Sequence, residues 1–248
     1  MGKKETVLLI TGAIDIERHG VPFTRITDTH LRLGQYIGSL EYAIRTYRSI
    51  DGIIFAENTN FPYDYSALYS LAARHGKRLE VLPFEGNRVK TAFHGKGFGE
   101  MECIGHALDN SELLRASARF VKLTGRVRVL NFDCLLHSAY GTNSFYALSA
   151  ATFPYVETIL YRVDKHFFRK NLGDAGALVF EKEKMYLERV FFEKLYALKE
   201  RHPVGSFRVY RLLQGLSAST GNSYATKLRH KISNSVFAAL GRFDINRL

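Results

Sequence analysis

The first half of the chain sets short apolar blocks between stretches of helical spacing. Thr6–Thr11, Gly52–Ala56, Leu79–Phe84 and Arg119–Leu123 each have the length and apolar character of a buried strand. Between the first two, Leu33, Ile37, Leu40, Ile44 and Tyr47 fall at steps of four and three, which draws one apolar face of a helix. Asp64 stands where it can cap the next helix, which runs through Leu68 and Leu71 and stops near Gly76. A helix-forming run from Glu100 to Leu114 follows. Strands alternating with helices of this length predict an α/β fold, a Rossmann-like and mainly parallel sheet with helices on both faces. Ligands of such sheets bind at the carboxyl ends of the strands. Those ends carry Thr11-Gly12, Glu57-Asn58-Thr59-Asn60, Glu85-Gly86-Asn87 and Thr124-Gly125-Arg126.

The second half is less regular. Val127–Leu130 and Val156–Val163 read as strands, and Met185–Arg201 as a helix with Leu187, Val190, Phe191, Leu195 and Leu198 on one face. Ser206–Tyr210 reads as a short strand and Gln214–Asn222 as a loop of small residues. Tyr224, Leu228, Ile232, Val236 and Leu240 then step by four through a terminal helix. No Pro-rich linker, repeat or low-complexity tract intervenes, so 1–248 is expected to form one domain. Its expected parts are a nucleotide-binding half (1–130), an acceptor-side half (131–222) and a basic amphipathic C-terminal helix (223–248).

One motif adds chemistry. In His94-Gly95-Lys96-Gly97-Phe98-Gly99-Glu100 the glycines allow close backbone approach to a ligand, and Lys96 offers a point charge to a phosphate oxygen. The helix that follows would present its N-terminus to an anion. A diphosphate-bearing substrate fits, and a flexible turn with a solvated lysine is the plain alternative. The motif is neither a Walker loop nor the Gly-x-Gly-x-x-Gly dinucleotide fingerprint.

Composition narrows the class. The 248 residues include 46% hydrophobic residues, with 14 Tyr and 18 Phe, which describes a folded globular chain. Two cysteines, Cys103 and Cys134, exclude a disulfide framework and a Cys-based zinc site. No closely spaced His pair and no Gly-x-Ser-x-Gly elbow points to a hydrolase. The amino terminus does not read as a signal peptide and no apolar run approaches membrane-spanning length, so a cytoplasmic protein is expected. The net charge of +11 fits nucleic acid, anionic headgroups or phosphorylated small molecules. A basic nucleic-acid-binding protein is one competing class, which no RRM, KH or helix-turn-helix pattern supports, and another nucleotide-using transferase, such as a nucleotidyltransferase, is a further one.

The order of short motifs resembles a family. It runs from Leu9-Ile10-Thr11-Gly12 through Arg32-Leu33-Gly34-Gln35-Tyr36, Ile54–Asn60, Gly95–Glu100 and Lys122–Arg126 to Ser217-Ala218-Ser219-Thr220-Gly221. This order resembles small bacterial GT-A-type glycosyltransferases of capsule and lipopolysaccharide synthesis. The resemblance implies a GT-A-like fold, a nucleotide-sugar donor and a saccharide or lipid-linked saccharide acceptor. It places Thr11, Gly12, Arg32, Glu57, Asn58, Lys96, Gly97, Lys122, Gly125 and Arg126 on the nucleotide sugar. Glu57 and Asn58 would read the base or ribose, with a turn role as the alternative. Lys122 and Arg126 would face the diphosphate, with a solvated strand rim as the alternative.

The family's Asp-x-Asp metal motif is missing. Asn131-Phe132-Asp133 is the nearest substitute, and one carboxylate is a weak site for Mg²⁺ or Mn²⁺. Neutralisation of the diphosphate by Lys96, Lys122 and Arg126 without metal is slightly favoured. Glu188, Glu100 and Asp164 compete for the role of catalytic base, and the residues do not separate them. Finally, Lys227, Arg229, Lys231, Arg242 and Arg247 flank the terminal apolar stripe. That helix either lies on an anionic membrane at the inner face or packs on the core.

Overall fold

The computed structural model describes residues 6–17, 25–149, 154–202, 204–216 and 223. The expected Ser217–Gly221 motif and the helix from Tyr224 onward lie outside the described residues. Five strands form the main sheet: β1 (Val7–Gly12), β2 (Gly52–Glu57), β3 (Arg78–Pro83), β4 (Arg119–Thr124) and β8 (Leu160–Asp164). Short strands β5 (Val127–Val129), β6 (Ala147–Ser149), β7 (Pro154–Val156) and β9 (Leu213–Gly215) pair outside it. The helices are α1 (Thr29–Thr46), α2 (Ser66–Arg74), α3 (Arg88–His94), α4 (Lys96–Asn110), α5 (Glu112–Ala116), α6 (Phe132–Ser138), α7 (Lys165–Asn171) and α8 (Leu187–Leu198). Two short 3₁₀ turns, Ala175–Leu178 and Glu181–Glu183, precede α8.

The sheet order is β3-β2-β1-β4-β8. β1 to β4 run parallel, and β8 joins antiparallel to β4 with Lys122 opposite Tyr161. The strand period of two splits each central strand between two cores. Val7, Leu9, Ile54, Ala56 and Phe120 pack under α4 and α8 with Ile104, Phe191 and Leu195. Leu8, Ile10, Ile53, Phe55 and Val121 pack under α1 and α2 with Leu40, Ile44 and Leu68. The fold is thus an α/β, Rossmann-like, mainly parallel sheet covered on both faces, and both faces of its central strands are dry.

Local differences from the sequence pattern have local causes. The helix expected from Glu100 begins four residues earlier, at Lys96, and breaks at Ser111. There the backbone is extended and the serine hydroxyl accepts from Leu114 N–H to cap α5. The run Val156–Val163 divides into β7 and β8, because Glu157 and Ile159 bond to Tyr146 and Thr124 in place of continuing one strand. Ser206–Tyr210 makes one isolated bridge, Ala139 with Phe207, and no strand. Asp64 does not cap α2 from the N-cap position, which Tyr65 holds; it accepts from Ser66 N–H and hydroxyl just before the helix.

Candidate active site

The strand order reverses between β1 and β4: from β1 the chain winds outward to β2 and β3, then returns to the other side for β4. A doubly wound sheet opens a crevice beyond the strand ends at such a switch point. The cavity found there is lined by Thr11, Gly12 and Ala13 at the end of β1 and by Thr124, Arg126 and Val127 at and just beyond the end of β4. Asn58 and Thr59 follow β2, Lys96, Gly97, Gly99, Glu100 and Cys103 come from α4, and Thr158, Glu181 and Glu188 from the second half.

One wall is built on Tyr36. Its hydroxyl accepts from Ala13 N–H at 3.0 Å and from Arg32 Nη2 at 3.4 Å. Added Cβ atoms at Gly12 and Gly125 would stand 2.5 Å from the Phe55 ring and 2.7 Å from the Tyr36 ring. Both glycines therefore serve the packing of the strand ends. Arg32 is buried and spends its guanidinium on backbone, donating to the carbonyls of Ala13, Ile14 and Ile26 at 3.0–3.1 Å. Burial also lowers its pKa. Arg126 donates from Nη1 to Gln35 Oε1 at 2.8 Å, with its guanidinium carbon 6.0 Å from the Tyr36 ring centre.

The opposite wall holds a buried charge pair. Lys122 lies on the α4 face of β4, where its side chain is wholly buried, and its Nζ sits 2.6 Å from Glu100 Oε1. The same ammonium donates to Thr124 Oγ1 at 2.9 Å and to the Thr158 carbonyl at 2.7 Å. Burial pushes the Glu100 carboxyl above its usual range, and the Lys122 charge and hydrogen bond pull against it. Lys122 accordingly faces the pair beneath the cavity and is absent from the lining. Glu188, half-buried, accepts from Thr158 Oγ1 at 3.0 Å.

The glycine motif differs from the expected loop. Lys96, Gly97 and Gly99 are already helical; Gly95 alone of the three glycines has positive φ, at 110°. The N-terminus of α4 is occupied by a carboxylate of the protein itself, since Gly97 N–H donates to Glu181 Oε1 at 3.1 Å. Added Cβ atoms would meet Glu181 Cδ at 2.4 Å from Gly95 and Leu187 Cβ at 2.9 Å from Gly97. These glycines let the 181–188 segment close over α4, and the expected anion position at the helix end is filled. Burial raises the Glu181 pKa, against the charge of Lys96 and the Gly97 N–H.

Besides Lys122 and Gly125, three further expected residues lie outside the cavity lining. Glu57 is fully buried: Oε1 accepts from Ile14 N–H and Thr59 N–H at 2.9 Å and from the Thr59 hydroxyl, and Oε2 from Phe61 N–H at 3.0 Å. It staples two loops and does not line the cavity. Its neighbour Asn58 does, with Nδ2 donating to Gly99 O at 3.3 Å. Asp164 pairs in register with Arg119, at the start of β4 and thus at the far end from the cavity, and caps α7 through Phe167 N–H at 2.9 Å. Asp133 lines a separate hollow with Thr6, Arg48 and Ser49. Its oxygens accept from Arg48 N–H at 3.1 Å and Ser49 N–H at 2.8 Å. Burial works to raise its pKa, but the Ser49 and Arg48 bonds outweigh it and the value falls. These surroundings do not fit Mg²⁺ or Mn²⁺. Among the described residues no group of three or more His, Cys, Asp or Glu side chains could hold a metal ion.

Sequence reasoning missed Tyr36, Thr158 and Glu181. Tyr36 stood within a quoted motif, but its apolar helical neighbours gave it no special signal. Thr158 falls inside the run Val156–Val163, whose pattern reads as one strand, and Glu181 in a segment without periodicity.

Fold and cavity together define a doubly wound α/β protein with a charged crevice at its switch point. No protein-family model matches the sequence, and no curated protein matches it. Among solved structures the chain is similar to a UTP-bound UGPase from Acinetobacter baumannii, at 10% identity and TM-score 0.40 over 97% of this chain and 93% of that one. It is also similar to a structure described as a glucose-1-phosphate thymidylyltransferase from Bacillus anthracis in complex with a sucrose, at 9% identity and TM-score 0.46 over 94% and 95%. A third is a nucleoside-diphosphate-sugar pyrophosphorylase from Vibrio cholerae RC9, at 12% identity and TM-score 0.42 over 82% and 91%. Likenesses this distant carry no functional weight.

Proposed function

We propose that this chain is a glycosyltransferase, moving a sugar from a nucleotide-sugar donor to a saccharide or lipid-linked saccharide acceptor of bacterial surface-polysaccharide synthesis. The observation that carries the reading is one crevice at the β1–β4 switch point bringing Arg126 and Lys96 together with the half-buried carboxylate of Glu188. Cations suit the charge that develops on a departing diphosphate, and a carboxylate suits the acceptor proton. In this mechanism Glu188 takes the proton as the acceptor oxygen bonds to the anomeric carbon. The bond from that carbon to the diphosphate oxygen breaks, and Arg126 and Lys96 meet the leaving group. A single displacement of this kind inverts the anomeric centre.

Glu188 is preferred to Glu100 because the Glu100 charge balances Lys122. A proton on Glu100 would leave a wholly buried ammonium without a counterion, a costly state. Arg126 and Lys96 are assigned the diphosphate without a cation cage, and we propose that the reaction proceeds without Mg²⁺ or Mn²⁺. The proposed place of work is the cytoplasm, at the inner face of the membrane for a lipid-linked acceptor. Among the described residues no helix is long and apolar enough to cross a membrane.

The test is incubation with UDP-, GDP- and dTDP-sugars, and separately with a sugar phosphate and nucleoside triphosphates, with and without EDTA, following nucleoside diphosphate and pyrophosphate. Nucleoside diphosphate release that survives EDTA supports the proposal in full. Release that EDTA abolishes and Mn²⁺ restores overturns metal independence. Pyrophosphate release from a sugar phosphate and a nucleoside triphosphate replaces glycosyl transfer with nucleotidyl transfer. Binding of oligonucleotides without either activity returns the protein to the nucleic-acid class.

A further inference from the structure

The connection between β7 and β8 ties two of the cavity carboxylates, Glu100 and Glu188, to a single residue. Thr158 is 5% exposed and lines the cavity. Its carbonyl accepts from Lys122 Nζ at 2.7 Å, and its hydroxyl donates to Glu188 Oε1 at 3.0 Å. With Glu100 Oε1 at 2.6 Å from the same ammonium, a continuous chain runs Glu100, Lys122, Thr158, Glu188. It crosses α4, β4, the β7–β8 connection and α8.

The two ends of this chain differ electrically. Glu100 faces a buried cation, whereas Glu188 makes no ion pair among the described residues and takes a neutral hydroxyl. A neutral donor orients a carboxylate while leaving it able to accept a proton. The connection that carries the hydroxyl is itself anchored at each position. Glu157 N–H donates to Tyr146 O at 2.8 Å, and the Glu157 carboxylate is paired with Arg211. The Ile159 carbonyl accepts from Thr124 N–H at 2.9 Å. A β-branched side chain on so fixed a backbone has few rotamers open to it.

We propose that Thr158 is a positioning residue for the transfer step: Lys122 fixes its backbone, and its hydroxyl aims the Glu188 carboxylate at the acceptor hydroxyl. This rests on the reading of Glu188 as the base. The stakes are geometric, since misplacing a catalytic group by about 1 Å can cost on the order of 10²-fold in rate.

Thr158→Val and Thr158→Ser separate aim from structure. Valine keeps the branched volume and the backbone carbonyl and loses the hydroxyl; serine keeps the hydroxyl. The probes are UDP-, GDP- and dTDP-sugars with p-nitrophenyl hexosides as acceptors, alongside Glu188→Gln. Thr158→Val is expected to lower kcat roughly tenfold or more while the donor KM stays within about twofold. Thr158→Ser should recover most of the kcat. If Thr158→Val turns over like the wild type while Glu188→Gln is inactive, the positioning role fails and the base reading stands. If Thr158→Val melts several degrees lower and serine restores the melting temperature but not kcat, the hydroxyl is structural and the proposal is overturned. If Glu188→Gln keeps wild-type turnover, or the wild type releases no nucleoside diphosphate from any donor, the underlying reading of the reaction falls and this inference with it.

Discussion

Lys122 Nζ lies 2.6 Å from Glu100 Oε1, with the lysine side chain wholly buried and the glutamate side chain 19% exposed. The lysine stands mid-sheet on β4 and the glutamate in the first turns of α4, so the pair locks helix to sheet directly under the cavity. Lys122 is thereby a structural cation, buried beneath the cavity and absent from its wall.

Removing one partner of this pair should hurt more than removing both. Glu100→Gln leaves a buried ammonium uncompensated, a loss on the order of 3–5 kcal/mol. Glu100→Gln combined with Lys122→Met is expected to regain a substantial part of it. Urea denaturation of both single variants and the double variant completes the cycle; additive losses would show that the two residues do not interact.

The two arginines of the cavity should separate by phenotype. Arg126→Ala is expected to weaken binding of a nucleoside diphosphate tenfold or more, since a hydrogen bond to a charged group is worth about 1.5–3 kcal/mol. Arg32→Ala strips donors from the carbonyls of Ala13, Ile14 and Ile26 and should first lower the melting temperature. Isothermal titration and thermal denaturation on both variants give the comparison. Unchanged affinity in Arg126→Ala places the diphosphate elsewhere.

Glycines of this chain should respond oppositely to alanine. Gly95→Ala forces a Cβ at φ 110° to within 2.4 Å of Glu181 Cδ, and the backbone strain alone costs roughly 1–3 kcal/mol. Gly34, exposed on α1 with nothing within 4 Å of an added Cβ, should gain about 0.5–1 kcal/mol from helix propensity. Equal melting temperatures for the two variants would contradict both assignments.

Glu181 gives a pH dependence with a definite sign. Its pKa is raised in the fold, chiefly by burial, so the folded state keeps this proton to higher pH than the unfolded state does. The contribution to stability is then full below the usual value of 4.5 and declines as pH rises through the raised value. Glu181→Gln cannot ionise, so the melting temperature of the wild type relative to this variant should fall as pH rises from 4.5 toward neutrality. A constant difference across that range, followed by calorimetry, would show that Glu181 titrates alike in both states.

The α/β alternation was legible because it is written in local periods. Runs such as Val7-Leu8-Leu9-Ile10 need no distant partner to reveal a strand dry on both faces. The site was legible to the level of its neighbourhood. Thr11, Gly12, Asn58 and Arg126 do collect at the strand ends, because strand polarity and winding order alone put them there. The glycine motif was misread as a loop because glycine's conformational freedom and its small size leave the same mark in a sequence. Only the positions of Glu181 and Leu187 show that size was the reason.

What the sequence determined by itself was therefore the class of sheet and the edge where chemistry collects, both consequences of spacing along the chain. The tertiary structure decided which charges are spent and which remain. Glu57 is consumed by Ile14 N–H from 43 positions away, the end of α4 by Glu181 from 84, and Lys122 by Glu100 from the facing helix. A charged side chain reads the same in a sequence whether it meets solvent, a ligand or another residue. Its role is settled by the partner that packing brings within about 3 Å, and that partner comes from another element of the fold.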